Sequence, residues 1–282
     1  MGTEVVNETG DFLVRFWGVR GSIACPGPET VRYGGNTACV EMRCGGHILI
    51  FDAGTGLRPL GLALMAEAPL DADLFLSHTH LDHIVGLPFF QPLFCPENRI
   101  RLWSGHLAPE HGLRDVICKM MTAPLFPVPV ELLEAAAGYN DFACGATLTP
   151  KPGVVLRTAA LNHPDCACGY RVEYKGKSVC YVTDTEHRAG GLDETILGLI
   201  AGADLVIYDS TYTDEEYPAF AGWGHSTWQE GVRLCDAAGV GTLVLFHHDP
   251  THDDAVMDEI AAAAEAARPG TLVAREGCVL TP

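Results

Sequence analysis

Basic side chains are scarce in this 282-residue sequence: 18 Lys and Arg stand against 36 Asp and Glu, for a formal net charge of −18. Those present are scattered, and no window gathers the run of Lys/Arg that marks a basic arm. Polyphosphates are held chiefly by clustered cations that displace condensed counterions, so nucleic acid is disfavoured as the main partner. Long apolar runs are missing too. None approaches the roughly 18 residues of a membrane-spanning helix, so no membrane partner is expected. The opening stretch MGTEVVNETGDF lacks the basic and apolar regions of a secretory signal. Val6 stands where a myristoylation signal carries Ser or Thr. The expected location is cytoplasmic. A disulfide framework is also lacking: the 11 cysteines are odd in number and fall singly, except in Cys166-Ala167-Cys168. Cys39, Cys180 and Cys235 lie within apolar patterns and read as small core residues.

What is present suits a globular chain. Apolar residues make up 48%, unlike a disordered composition, and the length is ample for a buried core. No repeat, low-complexity tract or long linker divides the sequence. A single domain over residues 1–282, built from two β-rich halves, is expected. Apolar or alternating runs predict strands at 12–19, 37–43, 47–52, 73–77 and 99–103, then at 154–161, 169–175, 178–183, 204–209 and 242–246. Helical patterns occupy 57–68, 82–94, 112–123, 192–201, 226–238 and 253–267. The segment 124–130, PLFPVPV, cannot be regular helix, because each Pro removes a donor and restricts its predecessor. Sheets with intervening and terminal helices predict an α/β fold of layered sheets with helices outside.

The strongest chemical signal follows the strand at 73–77. There the chain reads Ser77-His78-Thr79-His80-Leu81-Asp82-His83, and a loop at a strand end can bring such side chains together. A lone His is most often a surface or hydrogen-bonded residue, but three imidazoles and a carboxylate at this spacing read as a metal site. Imidazole suits zinc, iron and nickel, whereas carboxylate suits harder ions. Further candidates end strands downstream: His163, Asp184 and His247. Together these donors suffice for two metals, with a carboxylate between them able to bridge. Two metals ~3.5–4 Å apart stabilise both the attacking and leaving oxygens of an in-line displacement. They also lower the pKa of a shared water, yielding hydroxide near neutral pH.

HTHLDH, followed by a single His, an Asp after a strand and a final His, resembles the metallo-β-lactamase superfamily. The resemblance covers nearly the whole chain, from RFWGVRGS to the terminal strand. It implies a four-layer αββα sandwich with a dinuclear site at one edge of the sheets. Carried over by motif, His78, His80 and His163 hold one metal, Asp82, His83 and His247 hold the other, and Asp184 bridges. Asp52, in FDAGTG, matches the superfamily's early Asp, which supports the ligands from behind by hydrogen bonding. Two divalent ions are implied, zinc first, with manganese or iron as alternatives.

A finer resemblance is to the phosphodiesterase branch, which includes RNase Z and bacterial cyclic-phosphate phosphodiesterases. It rests on GGNTACVEM, FDAGTG, HTHLDHIVGLP and Gly224-His225-Ser226-Thr227. In RNase Z-like enzymes the His of this last motif stands near the scissile phosphate, which makes His225 the general-acid candidate. Its ordinary pKa of ~6.5 suits proton donation near neutrality. The plainer alternative is that His225 merely precedes a helix capped by Ser226 or Thr227. The resemblance thus implies a metal-dependent hydrolase. Hydroxide held between the metals attacks phosphorus, Asp82 orients it or accepts its proton, and His225 assists the leaving group. RNase Z holds tRNA with a basic exosite arm, and no such insertion is visible in this sequence. With the net charge of −18, that favours a small-molecule phosphodiester, such as a cyclic nucleotide or cyclic phosphate, as substrate and partner. A homodimer is left open. The competing readings are a thioester, lactone or β-lactam hydrolase at the same site, and a metal-stabilised nucleotide-binding or sensor protein. A redox di-iron reading ranks last, because no flavin-binding domain follows the metal motif.

Weaker features carry plain readings beside functional ones. Cys166 and Cys168 read as free loop thiols more readily than as an extra metal site. His248 and His252 follow the strand of His247, where Asp253 suits helix capping. Tyr212, Tyr217 and Trp223 precede His225 and suit either base stacking or loop packing. Gly34-Gly35-Asn36 reads as a tight turn, and Arg20 and Arg58 as phosphate or ion-pair residues.

Overall fold

Successive side chains of a strand point to opposite faces, and in this chain both faces of the central strands are apolar. The computed structural model describes residues 10–188 and 190–282, apart from the Ala137 side chain, so the segment containing Val6 lies outside it. The first half forms β1 (Phe12–Gly18), β2 (Cys39–Cys44), β3 (His47–Phe51), α1 (Leu57–Leu64), β4 (Asp71–Leu76), α2 (Leu81–Ile84), β5 (Arg99–Ser104), α3 (Leu113–Met120) and β6 (Ala136–Asp141). The second half begins with β7 (Thr147–Lys151), β8 (Val154–Leu161), β9 (Ala167–Tyr174), β10 (Lys177–Val182), α4 (Glu194–Ile200) and β11 (Leu205–Asp209). It continues with α5 (Tyr217–Phe220), α6 (Trp228–Ala238), β12 (Thr242–Phe246), α7 (Asp254–Ala267), β13 (Leu272–Val273) and β14 (Val279–Leu280).

These strands make two seven-stranded sheets, ordered β14-β1-β2-β3-β4-β5-β6 and β13-β12-β11-β10-β9-β8-β7. Strand alternation sorts the apolar residues into three cores. On β4, Leu74 and Leu76 face outward against Leu57 and Leu60 of α1 and Leu113 and Ile117 of α3. Phe75 faces inward, joining Phe16, Phe51, Tyr170 and Tyr181 between the sheets. On β12, Val244 and Phe246 face that same inner core, while Leu243 and Leu245 meet Ile196 of α4, Leu234 of α6 and Ile260 of α7. The result is a four-layer αββα sandwich, as expected. Burying each large apolar side chain contributes about 1.5–3 kcal/mol. The outer helices of the second half are started by side chains: Asp193, Thr227 and Asp253 accept the first free N–H groups of α4, α6 and α7.

The predicted helix over 82–94 is broken. α2 stops at Ile84, and 3₁₀ turns at Leu87–Phe89 and Gln91–Phe94 replace the rest. Pro88 and Pro92 open these turns. At Gly86, a Cβ would sit 2.1 Å from the Gly54 carbonyl oxygen. The helices predicted at 57–68 and 112–123 end early, at Leu64 and Met120. β6 and β7 lie outside the predicted strands. Both are sheet edges and carry Gly, Asn or Pro, so they lack the apolar run of a central strand. Among the described residues, no helix is long and apolar enough to cross a membrane.

Parallel pairing gives β3, β4, β5 and β6 one direction, and likewise β10, β11 and β12. β8 and β10 both run antiparallel to β9, so they share a direction. The C-terminal ends of β3 and β4 in one sheet, and of β8, β10, β11 and β12 in the other, meet at one edge of the sandwich.

Candidate metal centre

Every candidate ligand sits where one of these strands stops. Asp52 follows β3, His78 to His83 follow β4, His163 follows β8, Asp184 follows β10 and His247 follows β12. Asp52, Asp184 and His247 all adopt positive φ, 61°, 56° and 63°. That turn redirects a side chain from the sheet core to its edge, and such conformations persist only where the surroundings hold them.

The donor atoms of His78, His80 and His163 lie within 4.8 Å of one another, and so do those of Asp82, His83, Asp184 and His247. Asp184 spans the two groups. Its Oδ2 lies 3.6 Å from His78 Nε2 and 3.7 Å from His163 Nε2, and its Oδ1 lies 3.3 Å from His83 Nε2 and 3.2 Å from His247 Nε2. Asp82 Oδ2 is 3.2 Å from His83 Nε2 and accepts the Ser22 N–H at 2.8 Å. The centre opens on the side of His80, whose side chain is 42% exposed, while those of His83 and His247 are fully buried.

Each enclosed imidazole is held by its other nitrogen. His78 Nδ1 meets Ser77 Oγ at 3.0 Å, His163 Nδ1 meets the Gly224 carbonyl at 2.7 Å, and His247 Nδ1 meets Thr211 Oγ1 at 3.0 Å. His83 Nδ1 faces Asp52, which is buried behind the centre. Such partners fix ring orientation in metal sites. They leave Nε2 of these four rings aimed inward, and His78 Nε2 is buried without a hydrogen-bond partner. A buried polar atom with no partner is costly, and a cation removes that cost. The residues therefore fit a dinuclear metal site.

The charge states differ from ring to ring. Burial pushes His78 well below the ordinary histidine value, helped by the neighbouring His83, and burial likewise lowers His163. A neutral ring is the form that binds metal. For Asp184, burial opposes ionisation, but the imidazoles of His247 and His83 outweigh it and hold the carboxyl below the ordinary range. His83 itself is raised: burial opposes its charge, yet Asp184, Asp82 and Asp52 win. Neighbouring imidazoles are thus pulled in opposite directions, His78 and His163 towards the neutral form and His83 towards the charged one, a conflict that bound cations would resolve.

His225 lies against this centre. Its ring stacks on His247 with centroids 4.9 Å apart, and its Nδ1 lies 3.0 Å from Asp209 Oδ2. Burial opposes charge on His225, but Asp209, with Asp184 and Asp82 behind it, raises its pKa to about 9. Asp209 escaped the sequence reading. It is buried, accepts Thr211 N–H and Oγ1–H on Oδ1, and accepts Thr185 N–H on Oδ2. Its signal was an apolar strand ending in Asp, the pattern of Asp52 and Asp184. Helix capping falls to Thr227, while Ser226 Oγ pairs with His187 and the Tyr208 hydroxyl.

Other candidates do not join the donor groups. His248 Nε2 meets the Ala274 carbonyl at 2.9 Å, and burial lowers its pKa to about 3. His252 Nε2 pairs with Glu216 at 2.9 Å. Arg20 is buried and donates to the carbonyls of Gly34, Asp249 and His252, so it braces loops. Asn36 pairs with Glu276. Among the described residues, Cys166 and Cys168 belong to no potential metal group.

Fold and donor set define a metallo-β-lactamase-type hydrolase. Residues 47–248 match the family model of the Beta-lactamase superfamily domain, and the chain belongs to that superfamily. A ribonuclease Z from Bradyrhizobium sp. (strain ORS 278) is 27% identical over 83% of this chain and 90% of its own length. One from Gemmatimonas aurantiaca is 27% identical over 94% of each chain. Among solved structures, human tRNase Z, short form, superposes with TM-score 0.64 at 22% identity, covering 95% of this chain and 98% of its own. The metallo-β-lactamase fold protein YhfI from Bacillus subtilis gives 0.71 at 20% identity, covering 95% and 98%.

These relatives correct one expectation. Net charge argued for a small-molecule phosphodiester and against nucleic acid, yet the curated relatives are named ribonuclease Z. Net charge is a sum over the molecule, not the potential at a site. Asp52, Asp82, Asp184 and Asp209 all count towards the −18, but they sit in or beside a centre built for cations.

Proposed function

We propose that this protein is a metal-dependent phosphodiesterase that cleaves RNA. In this reading His78, His80 and His163 hold one divalent cation, Asp82, His83 and His247 hold a second, and Asp184 lies between them. The imidazole-rich donor set favours zinc. Bound there, divalent cations supply Lewis acidity to a phosphoryl oxygen and acidify a water molecule. The chain's own residues do the rest. Asp82, fixed by the Ser22 N–H, orients the attacking water and accepts its proton. His225, charged through Asp209, gives a proton to the departing oxygen.

The His225–Asp209 pair carries this reading. A ribose oxygen leaves poorly as an alkoxide and needs a proton, whereas a thiolate leaves without one. A histidine whose Nδ1 is held by the buried Asp209 beside the metal groups suits the former bond. The similarity to proteins named ribonuclease Z supports RNA as the polymer.

The test is to strip the protein with chelator, reload it with Zn or Mn, measure metal per chain, and assay single-stranded and 3′-extended structured RNAs. Metal-dependent cleavage is expected. Protein carrying two ions per chain that cleaves no RNA overturns the proposal.

A further inference from the structure

Three aromatic residues precede His225, and the structure separates them. Tyr212 is buried and lies flat on Phe220, with centroids 4.6 Å apart and planes 6° apart. The Tyr217 hydroxyl donates to Glu186 Oε1 at 2.9 Å, and its ring lies against His187. Both are spent within the protein. Trp223 is different: it is 63% exposed and meets Phe220 only edge to face, at 5.5 Å and 82°.

Exposure alone proves little, since single apolar side chains are common on surfaces. What sets Trp223 apart is the way it is presented. Glu186 grips the backbone on both sides of it, accepting the Gly222 N–H at 2.7 Å on Oε1 and the Gly224 N–H at 2.9 Å on Oε2. The Trp223 N–H itself donates to the Phe220 carbonyl at 3.0 Å. A loop whose backbone is pinned at three successive residues carries its ring with little backbone entropy left to lose on binding. The next carbonyl, that of Gly224, orients His163, and the next side chain is His225. Two residues of chain span at most about 7 Å, so the backbone that carries the exposed indole adjoins that of the group proposed to protonate the leaving oxygen.

We propose that Trp223 is a stacking platform for the unpaired nucleobase next to the cleaved phosphodiester, and so a specificity-determining residue. This rests on the RNA-cleaving reading above. Every base has an aromatic face, so the contact selects an unstacked nucleotide rather than a particular sequence.

The experiment uses zinc-loaded protein and an oligoribonucleotide that the wild type cleaves. A matched oligonucleotide is abasic on either side of the cleaved bond. W223A is expected to raise KM roughly 5- to 150-fold, the range for one lost stacking contact, with kcat little changed. W223F is expected to recover most of that loss. On the abasic RNA the wild type loses the same factor and W223A loses no more, because the two changes remove one interaction. Unchanged melting temperatures establish that the variants fold. An unchanged KM in W223A, or an equal penalty on intact and abasic RNA, overturns the stacking role while leaving RNA cleavage intact. Failure of the loaded wild type to cleave any RNA overturns both.

Discussion

Asp52 Oδ2 lies 2.8 Å from His83 Nδ1, and the same oxygen accepts the Ser77 and Tyr181 hydroxyls. The other oxygen accepts the Ser77 N–H at 2.7 Å. One buried carboxylate thus takes four donors and aims one imidazole. In Asp52→Asn, an amide NH₂ replaces one accepting oxygen and confronts donors. The expected result is metal affinity weakened about 10- to 100-fold, read by competition against a chromogenic chelator. Unaltered affinity would show that Asp52 serves the fold alone.

His225→Ala is expected to lower kcat on RNA by about 10²–10⁴. On bis(p-nitrophenyl) phosphate, whose leaving group needs no proton, the loss should be small. Asp209→Asn removes the charge that raises His225. A proton donor works while protonated, so activity falls as pH rises through its pKa. The variant's alkaline limb should therefore move to lower pH, and a pH profile of kcat decides the matter.

Gly224 has φ 86°, and a Cβ there would lie 2.3 Å from His163 Nδ1. Gly222 has φ 91°, but beyond its own chain neighbours no atom lies within 4 Å of its added Cβ. Gly224→Ala should displace His163, with bound metal falling from two ions per chain towards one by elemental analysis. Gly222→Ala should keep both ions, at a backbone cost of about 1 kcal/mol. Equal metal content in the two variants would separate His163 from metal binding.

Asp204 ties β10 to β11. It accepts the Ser178 N–H at 2.8 Å and pairs with Lys177 at 2.9 Å. Burial raises its pKa, but Lys177 and Ser178 outweigh that and hold it below the ordinary carboxylate value. A lowered folded-state pKa contributes stability above the unfolded value, about 3.9, and loses it as pH falls through the folded one. Asp204→Asn should therefore cost about 1 kcal/mol at pH 7. The gap from wild type should close in acid, as denaturant melts at several pH values would show.

The candidate ligand residues were legible because a polar cluster abruptly ending an apolar strand stands out: His78 to His83, His163, Asp184 and His247 each interrupt such a run. Asp209 carried the same mark, but its meaning depends on His225 approaching across α5, a contact that neither local pattern encodes. β6 and β7 were invisible because edge strands need no continuous apolar stretch. The segment 82–94 has helical periodicity, yet Gly86, Pro88 and Pro92 decide its backbone. Total charge misled on the partner because it weighs buried acids such as Asp52 and Asp184 equally with surface ones.

The donor residues come from both sheets: His78, His80, Asp82 and His83 follow β4, whereas His163, Asp184 and His247 follow β8, β10 and β12. Cations held as proposed would clasp the two sheets together, closing a stretch of chain ~80 residues long between His83 and His163, where loop-closure entropy is large. Secreted domains obtain such a clasp from disulfides, but all 11 cysteines here are free. On that proposal, a chelator would do to this fold what a reductant does to a secreted one. It would free one edge of the sandwich and leave the three apolar cores to hold the rest.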